Sequence, residues 1–150
     1  MASLIDKYRA TQRRLRRRFD PYTAKLCPVC PEPCCRKPTK VADFDLLLVA
    51  TCGYALPSHD APGDFVRACA DILAGTQTDT PIEPCDYLGR DGCVFPDDLR
   101  PFECARYICS LLKKEIRPGD MREIRRLLRR LSDQRRQIVD ATTPRSRRQP

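Results

Sequence analysis

The stretch from Cys27 to Pro38, CPVCPEPCCRKP, rules out more structures than any other in this chain. It holds four cysteines and four prolines in twelve positions. Pro28, Pro31 and Pro33 fall within six residues, which excludes a regular helix and an interior strand, because proline lacks the N–H that either ladder needs. The loop has almost no apolar side chains to bury. Cross-links through Cys27, Cys30, Cys34 and Cys35 are what is left to give it a shape. Cys27-x2-Cys30 has the spacing at which one loop presents two sulfurs to one ion. Adjacent cysteines point in different directions, so at most one of Cys34 and Cys35 ordinarily joins that pair, and the other reaches a second ion or bridges.

A second group lies about 50 residues on. It comprises Cys85, Cys93, Cys104 and Cys109 in CDYLGRDGCVFPDDLRPFECARYIC. Cys104 and Cys109 are five apart, about 140° round a helix, so they share no face unless the helix starts or breaks between them. The loose spacing argues against a self-contained knuckle. The two groups are therefore expected to meet, their eight thiolates serving zinc, iron or an iron–sulfur cluster, all of which take about four sulfurs tetrahedrally. Spacing alone does not decide between these metals. Structural zinc contributes on the order of 10–16 kcal/mol to the folding of small peptides, enough to compensate for loops without a core.

The N-terminal residues MASLIDKYRATQRRLRRRFD lack an apolar h-region, so a secretory signal is not expected. No run of about 18 apolar residues is present, so neither is a transmembrane helix. The expected compartment is the reducing cytoplasm, where clustered cysteines more often bind metal than form disulfides.

A length of 150 residues implies one domain. An all-α fold is expected, with Cys/Pro-rich loops between basic N- and C-terminal helices. The domain runs over 1–140 with its cysteine core at 27–109, and 141–150 form a disordered basic tail. Residues 3–19 read as a helix capped by Ser3 and ended by Pro21, with Leu4, Tyr8, Thr11, Leu15 and Phe19 on one face. Thr39 is expected to cap a helix to about Thr51, with Gly53 after it. Residues 64–74 form another, stopped by Gly75. Pro101 opens a helix to about Lys114, and Pro118-Gly119 breaks the chain before the last helix at 120–140. There Met121, Ile124, Leu128, Leu131 and Ile138 make a stripe widened by Leu127 and Val139. No strand is expected beyond a short hairpin around Arg90-Asp91-Gly92.

Charge divides the chain. Residues 1–20 carry net +5, residues 21–110 net −5 and residues 111–150 net +8. The basic helices, from Arg13 to Arg18 and from Arg122 to Arg136, are solvated faces, wrap the acidic middle, or bind nucleic acid or an acidic protein. Their apolar stripes also suit a homodimer seam.

The second cysteine group resembles the CxxCxxCC cysteine-cluster family (YkgJ-like), described as a zinc- or iron-chelating domain. Cys85, Gly92-Cys93, Phe95, Arg100-Pro101, Cys104, Tyr107 and Cys109 match its C…GC-x-[IVF]-[YF]…RP-x-x-C-x-x-[FY]-x-C signature, and CPVCPEPCC stands where the family has its paired-cysteine knot. The likeness covers about 27–109 and implies metal binding through the two groups.

The remaining candidates read as structural. Cys52 and Cys69 lie on apolar helix faces and suit core packing. His59 suits a surface loop. Arg100 suits a salt bridge, and Tyr87, Phe95, Phe102 and Tyr107 suit packing around the metal loops. The pairs Asp43/Asp45 and Asp97-Asp98 suit helix starts or solvent. No nucleophilic triad, phosphate-cradling Gly loop or H-E-x-x-H is present, so no catalytic residue is assigned. Three classes of function stay open: a metal-binding protein, an iron–sulfur redox or accessory enzyme, and a metal-stabilised adaptor.

Overall fold

The computed structural model describes residues 1–31, 34, 39–55, 64–76, 81–82, 85, 87–90 and 92–143. The described residues form an all-α domain of six helices with two minimal antiparallel ribbons. Two 25-residue helices, α1 (Ala2–Leu26) and α6 (Pro118–Thr142), make its frame. They run antiparallel: Tyr22 bonds Asp120 near one end, and Thr142 reaches Met1 at the other. Ile5, Tyr8, Leu15 and Phe19 of α1 are buried together with Ile124, Leu127, Leu131, Ile138 and Val139 of α6. The apolar stripes of both basic helices are thus consumed inside one chain.

α1 starts earlier and ends later than its sequence suggests. Ser3 is not its cap, since the helix begins at Ala2 with Met1 at the N-cap position. Pro21 lies inside it rather than ending it. A proline there forfeits one backbone bond. The last turn is held instead from outside, where the Tyr22 hydroxyl donates to Asp120 Oδ2 at 2.6 Å and accepts from the Arg117 backbone N–H at 3.3 Å.

Pro118-Gly119 does not break the chain ahead of the last helix: Pro118 occupies the first turn of α6, where its missing N–H costs nothing. α6 continues to Thr142, and Thr143 is buried with its hydroxyl on the Val139 carbonyl at 2.9 Å. Residues 141–143 therefore belong to the helix end, while 144–150 lie outside the described residues.

α2 (Asp43–Thr51) and α3 (Phe65–Ala74) complete the bundle. Phe44 stacks on Phe65 with ring centroids 5.5 Å apart, and α3 packs on α6. Asp64 caps α3 by accepting from Val66 N–H at 2.6 Å. Gly75, at φ +69°, closes it in the left-handed conformation that other residues avoid. Thr39 does not cap α2. It lies in β1 (Thr39–Lys40), which pairs with β2 (Pro81–Ile82).

The expected hairpin is β3 (Leu88–Gly89) against β4 (Gly92–Cys93). The helix expected from Pro101 to Lys114 is two, α4 (Phe102–Arg106) and α5 (Ser110–Glu115), with residues 107–109 between them. Among the described residues no helix is long and apolar enough to cross a membrane.

Candidate functional site

The first cysteine group follows directly from α1. Cys27–Val29 form one turn of 3-10 helix, closed by Cys30 N–H on the Cys27 carbonyl at 3.3 Å. Both members of the C-x2-C pair therefore sit on a single turn. Cys27 and Cys34 are exposed and Cys30 is half-buried. Cys35 and His59 lie outside the described residues.

The second group is built on the hairpin and the broken helix. Leu88 N–H bonds the Cys85 carbonyl at 3.0 Å, and Cys93 stands opposite Leu88 in the β3–β4 register. Val94 N–H returns to the Tyr87 carbonyl at 2.9 Å, and the Tyr87 and Phe95 rings meet edge to face at 4.9 Å. Those rings are buried and give the hairpin a floor. Cys85, Cys93 and Cys109 pack partly buried against the core, whereas Cys104 is exposed. The chain leaves helical geometry at Tyr107 to Cys109, which lifts the restriction that one continuous helix would place on Cys104 and Cys109. Cys109 Sγ accepts from Leu112 N–H at 3.4 Å at the start of α5. Tyr107, expected to pack around the loops, is 53% exposed in the break after α4.

What brings the groups toward each other is β1–β2. Thr39 pairs with Ile82 and Lys40 with Pro81. Thr39 follows Cys35 by four residues, and Ile82 precedes Cys85 by three. A chain spans at most about 3.6 Å per residue, so Cys34 and Cys85 are tethered within roughly 18 Å and 11 Å of that joint. α4, which carries Cys104, packs against β1. The described residues alone do not close a coordination shell: among them, no three cysteine, histidine or carboxylate side chains converge on a position for an ion.

The approach to Cys104 is held from three helices, which sequence reasoning missed. Gln12 of α1 is buried and makes two bonds to Arg100, donating to its carbonyl at 2.9 Å and accepting its N–H at 3.1 Å. Asp98 is buried, with its carboxylate bonded by Arg9 at 3.0 Å and by Arg13. Arg100 itself pairs with Asp97 at 3.0 Å, the salt bridge expected of it.

Asp45 is also buried. Its Oδ1 accepts from Phe102 N–H at 3.1 Å and its Oδ2 from Ala42 N–H at 3.2 Å. One carboxylate thus holds the starts of α2 and α4 together. Burial pushes it up to about 6, against the opposing pull of the Arg135 charge and the two N–H bonds. Arg135 is no surface arginine, since its guanidinium lies 5.0 Å from the Phe44 ring centroid and 4.8 Å from that of Phe102.

The sequence did carry traces of this. Asp45 is a charge inside an apolar run, and Arg135 falls four residues after Leu131 and three before Ile138, at the edge of the buried stripe.

The other two cysteines differ from each other. Cys69 is fully buried, as a core residue should be, and burial raises its thiol to about 11. Cys52 is only half-buried. Its thiol is also raised by burial, with Arg9 pulling the other way. No family model matches the chain, and no curated protein or solved structure matches it.

Proposed function

We propose that this chain is a cysteine-cluster metal-binding domain of the reducing cytoplasm, holding zinc or iron through thiolates drawn from both groups. The observation that carries this reading is the Thr39–Ile82 pairing, which ties the end of the first group to the start of the second. The C-x2-C pair on one 3-10 turn supports it, and so does the break that frees Cys109 from the α4 helix. The motif likeness to the CxxCxxCC family points the same way. In this proposal the metal is structural or stored, and it closes loops whose sequence offers few apolar side chains to bury. With iron, the same sulfurs would hold an iron–sulfur cluster and give the chain redox chemistry.

Metal analysis and an absorption spectrum of anaerobically purified protein test the proposal. Stoichiometric zinc or iron is expected, reduced in Cys30→Ala and Cys85→Ala and retained in Cys69→Ala. A visible sulfur-to-iron band that bleaches on reduction selects the cluster. Folded, metal-free protein whose thiols are paired as disulfides overturns the reading.

A further inference from the structure

The frame α1–α6 has a strongly basic outer surface. The two helices carry thirteen arginines, two lysines and six carboxylates, a net charge of +9. One edge of α1 is neutralised within the fold, where Arg9 and Arg13 bond Asp98 and Arg16 bonds Asp20. The outer face of α6 is not. Arg122, Arg125, Arg129, Arg130 and Arg136 are all exposed and make no ion pair among the described residues; Arg126 alone is paired there, with Glu123 at 2.7 Å.

The spacing adds repulsion. Arg122–Arg126, Arg125–Arg129 and Arg126–Arg130 are like charges at i,i+4, as are Arg13–Arg17 and Arg14–Arg18 on α1. Such pairs destabilise a helix rather than support it. Asp133 is the one exposed carboxylate from 122 to 136, against six exposed arginines, so a large positive excess remains on this face.

We propose that the outer face of α6, from Arg122 to Arg136, docks on the phosphate backbone of double-stranded DNA. Those residues span about 21 Å along one helix, and a helix about 10–12 Å across fits a major groove about 12 Å wide. The deep, narrow major groove of duplex RNA does not admit one. Arginine outnumbers lysine thirteen to two, and its planar fork suits phosphate oxygens.

A membrane surface fits less well. The exposed large hydrophobics among the described residues are Met1, Val29, Tyr54, Leu73 and Tyr107, and none lies on α1 or α6. That lack of exposed aromatics also disfavours single strands, which bind by stacking. The contacts proposed are from guanidinium groups to phosphate oxygens, which carry no sequence information, so the binding is largely independent of sequence.

Fluorescence anisotropy of the full chain with a labelled mixed-sequence DNA duplex of about 20 base pairs tests this, between about 50 and 200 mM salt. The triple variant Arg122→Gln, Arg125→Gln, Arg129→Gln should bind about 100-fold more weakly at 0.1 M salt, with a salt slope shallower by roughly 2 to 3. Its thermal midpoint should hold or rise, since repulsion is relieved. Arg67→Gln on α3 should change neither affinity nor slope. The proposal is overturned if the duplex is not bound at about 50 mM salt, or if the triple variant binds as the parent does. It is equally overturned if phosphatidylserine vesicles or polyglutamate bind as tightly as the duplex at equal salt.

Discussion

Replacing Asp45 by asparagine gives a test whose sign, as well as size, follows from the structure. The carboxylate is buried, accepts two backbone N–H groups, and has its acidity weakened mainly by loss of water. Its pKa rises from 3.8 in the unfolded chain to about 6 in the fold. The folded state therefore holds a proton on Asp45 that the unfolded state has released between those values. The contribution of this group is fully present below about pH 4 and declines as pH rises to about 6. The decline amounts to roughly 3 kcal/mol, at about 1.4 kcal/mol per pKa unit.

Asparagine has no such titration. It also keeps one acceptor oxygen and loses the other, which leaves one buried N–H without a partner at a pH-independent cost of about 1–3 kcal/mol. Urea denaturation followed by far-UV circular dichroism, under reductant and at steps from pH 4 to pH 7, measures both variants. The parent's advantage over Asp45→Asn should be greatest at pH 4 and shrink by roughly 2.4 kcal/mol on reaching pH 7. A difference that stays flat, or grows toward neutral pH, refutes the reasoning. In that case the Arg135 charge and the two N–H bonds outweigh desolvation.

Two further outcomes are expected. Gln12→Ala removes both bonds to the Arg100 backbone and should cost about 1–3 kcal/mol by the same denaturation measurement, because two half-buried backbone groups lose partners at once. Cys69, fully buried and raised to about 11, should resist iodoacetamide in the native protein at pH 8 and react once urea unfolds it, as read by mass spectrometry of peptides.

The long helices were largely legible because their signal is local and repeated. The step from Ile124 to Leu131 to Ile138 returns to one face whatever surrounds it, and so does the step from Tyr8 to Leu15 to Phe19. Glycine stops were legible for a related reason, as with Gly75, whose tolerance of the left-handed backbone travels with the residue. Helix ends proved less so. Pro21 reads as a stop, yet the bonds from Tyr22 to residues 117 and 120 carry α1 through it, and partners nearly 100 positions away leave no local mark.

The grouping of cysteines, the division of charge and the all-α class were set by the sequence itself, since each is a property of residue type and short-range spacing. Only the tertiary structure decided which charges are solvated. Asp45, Asp98 and Arg135 look like their neighbours Asp43, Asp97 and Arg136 along the chain. They differ because packing removed water from them and supplied backbone N–H groups, guanidinium groups or aromatic rings in its place. The Thr39–Ile82 pairing is of the same kind. Nothing in the two-residue segments TK and PI announces a strand, and the joint between the two cysteine groups exists only because the folded chain brings those segments side by side.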